Sequence, residues 1–450
     1  MKAADAIREI RQAMAEKLTR TTFVTSRQDE FFTEKELTMQ FGAPKALWPL
    51  MTVKELIDNS LDAAEATDVP PEIAITLEPD SVTVADNGPG LQGSTITSAL
   101  DYNVRVSDKR HYVSPSRGQL GNALKCVFPA AYLATGQKSV VEITACGTRH
   151  RIEVDINRIR QEPRIQHVQT PLVQIGSTIT VHWPQIACSY SRHPNSELYR
   201  GLVEQVLPEL VRDFASVNPH ASFTVAAGGK NWTFGASNPA WRKWRASDPT
   251  SPHWYGKNEL RDLLAAYIAK EEKEKLPRKT LRDFVGEFDG LARPQYRKAV
   301  LEQAGLAGKY LSDLKTDMDG DMDFVGRLLA AMRSVAKPAK AERLGVVGKN
   351  HLRDALVAWG ADGDVEYARN AAIGDDGLPY VVEVAFGVTQ EEQPRKLVCG
   401  LNHSILFNVP SQSLYSMLRD RWIESRDPVA IVVHQSHPRF AFTGHGKGSL

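Results

Sequence analysis

Three short segments follow one another in a fixed order within about 70 residues: Glu55-Leu-Ile-Asp-Asn59, Asp86-Asn-Gly-Pro-Gly90 and Arg117-Gly-Gln-Leu-Gly121. The first places a carboxylate and an amide four residues apart, on one face of a helix. The second follows an apolar alternation and allows the backbone to turn tightly at its glycines. The third is a glycine loop that opens a helix, where backbone N–H groups and the helix dipole bind phosphate. The order of the three segments predicts a nucleotide site.

The residue types suit ATP and its hydrolysis. Hydrolysis needs a base to activate water and a metal to bridge the phosphates, and adenine needs an acceptor for its amino group. Glu55 supplies a carboxylate as general base, the amide oxygen of Asn59 a magnesium ligand, and Asp86 the adenine acceptor. Each segment alone is more often a solvated helix face or a turn. The prediction rests on their order, with the alternating segments 72–77 and 82–85 read as a hairpin between the first two.

This combination resembles the GHKL ATPases, the superfamily of gyrase B, the MutL repair proteins, the Hsp90-type chaperones and the histidine kinases. The resemblance implies a Bergerat-type α/β sandwich that binds ATP and Mg²⁺, with Glu55 as catalytic base and Asn59 as metal ligand. It places Thr178 where the family has a threonine that supports the adenine carboxylate. The residues it implies in nucleotide binding are Asn59, Asp86, Gly88, Gly90, Lys109, Gly118, Gln119, Leu120, Gly121, Asn122, Lys125 and Thr178.

Two of these positions leave alternatives open. Asn122 stands where topoisomerase relatives usually have another glycine; asparagine tolerates positive φ better than most residues, so the loop conformation can survive while its phosphate contacts differ. Lys125 either adds a positive charge at the phosphates or caps a solvated helix.

Segments outside the motifs resemble one branch, the B subunit of DNA topoisomerase VI. A histidine kinase needs a phosphoacceptor histidine ahead of its ATP domain, and no histidine precedes His111. The segments similar to topoisomerase VI B lie at residues 29–35, 47–54, 107–109, 215–221 and 251–255, so the resemblance spans nearly the whole chain.

The fold class expected is α+β, in several domains because 450 residues are too many for one core. We predict an N-terminal arm at 1–25, a GHKL ATP-binding domain at 26–235, a linker at 236–256, a helical domain at 257–338 and a transducer-like domain at 339–450. Within the ATP-binding domain, further strands are expected at 138–144, 149–154, 177–183 and 222–226. The apolar pattern of residues 2–17 is helical, and the resemblance implies that this arm straps onto a partner subunit. In the helical domain, segments 281–288 and 299–306 resemble a helix-two-turns-helix insert; the alternative is a helical spacer.

The last domain resembles a transducer, with strands expected at 380–386, 396–401 and 430–434. Near the end, Lys447 matches the lysine that reaches the ATP γ-phosphate in the family, and we assign it a catalytic role; the alternative is a solvated lysine in a glycine-rich tail.

Two other segments contain residue types that occur in binding sites, but each favours a simpler interpretation. Residues 317–323 fail the calcium-loop pattern and favour a solvated acidic loop, and residues 241–245 interleave Trp with basic residues but favour packing over nucleic-acid binding.

Composition agrees with a cytoplasmic protein that has no membrane span. Charges near the N-terminus exclude an ordinary signal peptide, and the four cysteines show no C-x-x-C spacing, so neither zinc nor a disulfide framework is indicated. The net charge of +1 implies no global attraction to nucleic acid, so any DNA contact must come from local patches.

The function expected is an ATP-driven homodimeric gate for double-stranded DNA that works with a topoisomerase VI A-like cleaving subunit. The alternative is a stand-alone clamp of the MORC type, acting on DNA or a protein without strand passage. The two differ in a long helix after Lys447 that docks the cleaving subunit; its absence before Leu450 indicates either a truncated chain or lost coupling. A chaperone is disfavoured by the later, topoisomerase-like segments.

Overall fold

The computed structural model describes residues 32–102, 111–117, 123–157, 162–172, 176–191, 201–315, 323–390, 395–407 and 411–440. These residues form a mixed α+β structure with two large sheets and a helical region between them in sequence, which confirms the expected fold class. No helix in the described ranges is both long and apolar enough to span a membrane. The predicted arm, the 107–109 segment, the glycine loop 118–122, nearly all of the acidic segment and Lys447 lie outside the described residues.

The first region is built on an eight-stranded sheet. Its elements in chain order are α1 (Glu34–Phe41), α2 (Trp48–Ala66), β1 (Glu72–Glu78), β2 (Ser81–Asp86), α3 (Gly93–Ala99), α4 (Ala123–Thr135), β3 (Ser139–Ala145), β4 (Thr148–Asn157), β5 (Glu162–Pro171), β6 (Ser177–His182), the short pair β7 (Tyr190–Ser191) and β8 (Gly201–Leu202), α5 (Val203–Val217), β9 (Ser222–Ala227) and β10 (Lys230–Phe234). The strand order is β10-β9-β1-β2-β6-β3-β4-β5. Neighbours are antiparallel except β1 and β9, which run parallel.

Helix α2 is buried on almost every side. It starts with Pro49 in its first turn, where a missing N–H costs nothing. From Trp48 to Leu61, every residue is buried except Glu55 and Asn59. These two half-buried polar side chains therefore mark the part of α2 that solvent can reach. We call this part the opening on α2.

The second region is helical, with α6 (Lys257–Glu274), α7 (Leu281–Gly286), α8 (Pro294–Ala304) and α9 (Asp323–Val335). Apolar side chains of all four helices share one core. The preceding stretch 236–256 contains no α-helix or strand, yet Trp244, Trp254 and Tyr255 within it are buried in that same core. It is therefore a packed connection between the regions.

The third region contains α10 (Lys349–Ala358), β11 (Ala361–Ile373), β12 (Pro379–Thr389), β13 (Lys396–Leu401), β14 (Ser404–Ile405), α11 (Ser411–Asp420) and β15 (Val429–Ser436). Its strands form one sheet in the order β11-β12-β15-β13-β14. Leu352, Leu356, Val398 and Ala430 belong to the same apolar cluster as the core of the first region. The two sheets thus share a continuous core.

The predicted β1–β2 hairpin is confirmed, as are the strands expected near β3, β4, β6, β9, β12, β13 and β15. The longer strands that were not predicted are β5, β10 and β11, and the two-residue strands β7, β8 and β14 were not predicted either. Each lies at the edge of a sheet. An edge strand with little burial lacks the regular apolar alternation that identifies a strand in sequence.

Gly176, just before β6, gives a test of how closely the start of β6 approaches the end of β2. Its φ is +75°, and a Cβ there would lie 1.8 Å from the carbonyl oxygen of Asp86. Gly136 is a matched control, since it has the same φ of +75° but no heavy atom within 4 Å of an added Cβ. Gly136→Ala should lower the free energy of unfolding in urea by about 1–2 kcal/mol through left-handed strain alone. Gly176→Ala should lower it by about 2–5 kcal/mol, because overpacking adds to the same strain. Equal losses in the two variants would contradict the close approach at Gly176.

Candidate nucleotide site

The opening on α2 begins with Glu55 and Asn59. Both lie on one helix face, and the Glu55 side chain is 22% exposed. Asp62 and Ala63 continue this half-buried stripe toward the end of the helix. The predicted base and the predicted metal ligand are thus brought together at one opening.

Asp86, at the end of β2, is held by three hydrogen bonds. Its Oδ2 accepts from the Ser60 hydroxyl (3.1 Å), and its Oδ1 accepts from the backbone N–H groups of Gly88 (2.9 Å) and Ser177 (3.2 Å). Burial raises the pKa of Asp86 above its ordinary value, while the three hydrogen bonds oppose that rise. Asp86 therefore loses its charge at a higher pH than an ordinary aspartate. Ser60 directly follows Asn59, so this bond joins the adenine-binding candidate to the opening on α2.

The glycines beside Asp86 have little room for side chains. A Cβ on Gly88 would lie 3.1 Å from Asp86 Oδ1 and 3.2 Å from the Ala63 Cβ. Gly90 has φ of +89°, and a Cβ there would lie 2.9 Å from Cys146 Sγ. Gly88 thus lets the loop pass close to α2, and Gly90, with its positive φ, lets the loop pass close to Cys146.

The structure shows the surroundings of two further residues that were predicted to bind the nucleotide, Thr178 and Lys125. Thr178 pairs with Ala85 across the β2–β6 ladder, next to the Asp86–Ser177 pair, so it lies one residue beyond the amide that binds Asp86. Lys125 is buried in the first turn of α4, where its ammonium donates to the Asp101 carbonyl. This burial does not fit a lysine that caps a solvated helix. The contact of Lys125 with phosphate stays a prediction.

Sequence reasoning gave no role to Arg117, which directly precedes the glycine loop. Its guanidinium is buried and contacts Glu65 (2.9 Å) and Asp62 (3.0 Å) on α2, and it donates to Asn218 Oδ1 (2.6 Å). Burial alone would raise the pKa of Glu65, but Arg117 and then Lys243 hold it well below its ordinary value. The start of the loop is therefore fixed to the end of α2 by buried ion pairs. The sequence signal was weak: an arginine before the glycines and two carboxylates three residues apart.

The aromatic and basic segment 241–245 packs against the protein, as expected. Trp241 lies against the ring of His403 with centroids 5.0 Å apart, and its indole N–H donates to the Val346 carbonyl (2.6 Å). Lys243 is buried and contacts Glu65 at 2.7 Å. Lys243 therefore holds the packed connection to the first region, and Trp241 holds it to the third region.

Comparison with known proteins agrees with this site. Residues 49–182 match the family described as histidine kinase-, DNA gyrase B-, and HSP90-like ATPase. The chain is 23% identical to the B subunit of type 2 DNA topoisomerase 6 from Archaeoglobus fulgidus, over 94% of this chain and 69% of that protein. It is 24% identical to the protein of the same name from Sulfurisphaera tokodaii, over 94% of this chain and 79% of that protein.

A shorter alignment is closer in sequence. The B subunit of type 2 DNA topoisomerase 6 from Methanosarcina barkeri is 31% identical over 44% of this chain and 31% of its own length. Among solved structures, the B subunit of DNA gyrase from Myxococcus xanthus covers 92% of this chain and 88% of its own, with 12% identity and a TM-score of 0.39, too weak a likeness to decide how the regions are arranged. The chain contains a GHKL-type ATPase domain and resembles the topoisomerase 6 B subunits along most of its length.

Asp86→Asn separates adenine recognition from folding. The asparagine keeps one oxygen that can accept from Gly88 and Ser177, but it replaces the second acceptor with an NH₂ group. We expect ATP affinity to fall by about 100-fold, because an adenine amine would face a donor. Titration with a fluorescent ATP analogue measures this.

Asp80→Asn is the control for that titration. Asp80 accepts the Gln185 N–H (2.6 Å) at the other end of the same hairpin, away from the opening on α2. ATP affinity should fall as pH is lowered in the parent and in this control, and this dependence should be absent from Asp86→Asn. Equal affinities in the two variants would show that Asp86 does not bind the adenine.

Proposed function

We propose that this chain binds ATP with Mg²⁺, hydrolyses it, and closes as a dimer that gates double-stranded DNA in type IIB topoisomerase-like strand passage. The observation that supports this most is the Ser60–Asp86 hydrogen bond of 3.1 Å. It joins the adenine-binding candidate to the helix that presents Glu55 and Asn59. A nucleotide whose adenine lies at Asp86 would extend its phosphates along this helix.

The residues of this site could hold Mg²⁺ only together with the phosphates of a bound nucleotide. Among the described residues, no cluster of three or more His, Cys, Asp or Glu side chains could hold a metal by itself. Mg²⁺ is commonly bound by one or two protein ligands together with substrate phosphates, and Asn59 offers one such oxygen. When bound, the ion would neutralise charge on the phosphates. Glu55 would take the proton from the attacking water.

The dimer and the cleaving partner are supported by resemblance. The aligned proteins are named as topoisomerase subunits, and the alignments cover between 31% and 79% of their lengths. We propose a separate topoisomerase VI A-like subunit that cuts DNA, an exchanged arm at residues 1–25, and Lys447 as the side chain that contacts the γ-phosphate. An ammonium there would stabilise the charge that develops during hydrolysis.

Local positive charge gives DNA a place to bind despite the low net charge. A groove between α7 and α8 is lined by Arg282, Lys298 and Lys309, together with Tyr310 and with Glu302, which lies 3.6 Å from the Lys298 ammonium, so positive charges outnumber negative ones there. Such side chains bind the phosphate backbone without reading sequence. A stand-alone clamp that acts on DNA would use the same groove, but it would need no cleaving subunit and would pass no strand.

Glu55→Ala tests hydrolysis directly. The variant loses the proposed base but keeps Asn59 and Asp86, so turnover should fall by about 10²–10⁴-fold while ATP binding persists. Phosphate release and analogue titration measure the two quantities separately. Glu78→Ala, at the exposed end of β1, should hydrolyse ATP like the parent. Parent-like turnover in Glu55→Ala would remove Glu55 as the base.

Closure should depend on nucleotide. We expect sedimentation to give a monomer without nucleotide and a dimer with a non-hydrolysable ATP analogue and Mg²⁺, since the γ-phosphate would order surfaces that meet in the dimer. Deleting residues 1–25 should weaken the dimer more than it weakens nucleotide binding. The same mass in both states would argue against an ATP-driven gate.

A further inference from the structure

The turn between β13 and β14 inserts into the first region. Its two central residues, Asn402 and His403, have φ of 48° and 65°, which gives a tight hairpin turn. The His403 carbonyl accepts from Arg117 Nε (3.2 Å) and from Asn218 Nδ2 (3.0 Å). The tip of the hairpin is therefore bonded to residues that surround the C-terminal half of α2.

A chain of side-chain contacts continues from this hairpin to Glu55. The hydroxyl of Ser404, the first residue of β14, donates to Asp58 Oδ2 at 2.7 Å. The same oxygen accepts from the Lys54 ammonium at 2.8 Å, and that ammonium also lies 3.4 Å from Glu55 Oε1. Three contacts thus connect the five-stranded sheet to the proposed base.

Lys54 and Asp58 are buried, so few other groups can take their place in this chain of contacts. The side chains of Lys54 and Asp58 are 8% and 6% exposed, whereas Glu55 is 22% exposed at the opening. Burial alone would lower the pKa of Lys54, but Asp58 and Glu55 outweigh it, so the net pKa is raised and the ammonium stays charged. Asp58 Oδ1 accepts no hydrogen bond from the described residues and lies 3.8 Å from Arg117 Nε. The position of the ammonium therefore depends on Oδ2, the oxygen that Ser404 also contacts.

We infer that Lys54 is a positioning residue for Glu55, and that Ser404 acts through Asp58 to hold Lys54 in place when the β13–β14 turn is docked on α2. The inference rests on the proposed function, in which Glu55 activates water. It makes the efficiency of hydrolysis depend on the position of the five-stranded sheet. Lys54 itself is buried and lies off the half-buried stripe of α2, so its effect reaches the reaction through Glu55.

The first experiment compares Lys54→Met with Lys54→Arg. Methionine keeps much of the aliphatic volume but removes the charge, so Glu55 loses its neighbour. We expect kcat to fall by about 10-fold or more, as for other small misplacements of a reacting group, with the affinity for an ATP analogue unchanged. Arginine keeps the charge and should restore part of kcat. A purely structural role for Lys54 would change affinity and kcat together and would show no rescue by arginine.

The second experiment uses Ser404→Ala, which removes one hydroxyl and leaves the hairpin turn intact. We expect a smaller loss of kcat than for Lys54→Met, again without loss of affinity. Ser216→Ala is the matched control, because Ser216 is also buried and donates its hydroxyl to a backbone carbonyl of α5 (2.6 Å). Adding Ser404→Ala to Lys54→Met should lower kcat no further, since both changes act through the same contacts.

The outcomes separate this inference from the proposed function. Parent turnover in Glu55→Ala would overturn the proposed base and the inference with it. A strong loss in Glu55→Ala combined with parent turnover in Lys54→Met would overturn the inference alone. Additive losses in the double variant would overturn the common route through Asp58. If Lys54→Met does not fold, Ser404→Ala decides: parent kcat overturns the inference, and a reduced kcat at unchanged affinity supports it.

Discussion

Buried ion pairs at the C-terminal end of α2 hold the parts of this protein together. Glu65 of α2 accepts from Arg117, which leads into the glycine loop, and from Lys243, which lies in the connection to the helical region. Arg117 also donates to the carbonyl of His403 in the last region. Each charge has an opposite charge within reach, which burial requires, because removing one member of such a set commonly costs about 3–5 kcal/mol. The geometry of the nucleotide site therefore depends on the packing of all the regions.

The elements most easily predicted from sequence are those in which buried and exposed residues alternate regularly. The β1–β2 hairpin alternates buried and exposed residues and was predicted nearly to its ends, whereas β5, β10 and β11 lie at sheet edges and were missed. The same contrast holds at the site. Local spacing is enough to predict roles for Glu55 and Asp86. Arg117 could not be given a role, because its partners Asn218 and His403 lie 101 and 286 residues away along the chain.

The continuous core gives a physical connection between the candidate nucleotide site and the five-stranded sheet. Leu352 and Val398 of the last region pack in the same cluster as Leu56 and Val84 of the first. Packed cores deform little, so a shift of one sheet must be met by a shift of the other or by a break at their polar contacts. The β13–β14 turn is one such contact, where His403 and Ser404 are hydrogen-bonded to residues of the first region.

One edge of the eight-stranded sheet, strand β5, limits how two copies of this protein can associate. Strand β5 contains Pro163 and Pro171, which lack an N–H, and its Arg164 is paired with Asp155 of β4. Proline and charge at an edge hinder pairing with a further strand. Strand addition along this edge, a common route to uncontrolled aggregation, is therefore disfavoured. A contact between two copies is thereby directed away from β5 and toward other surfaces of the protein.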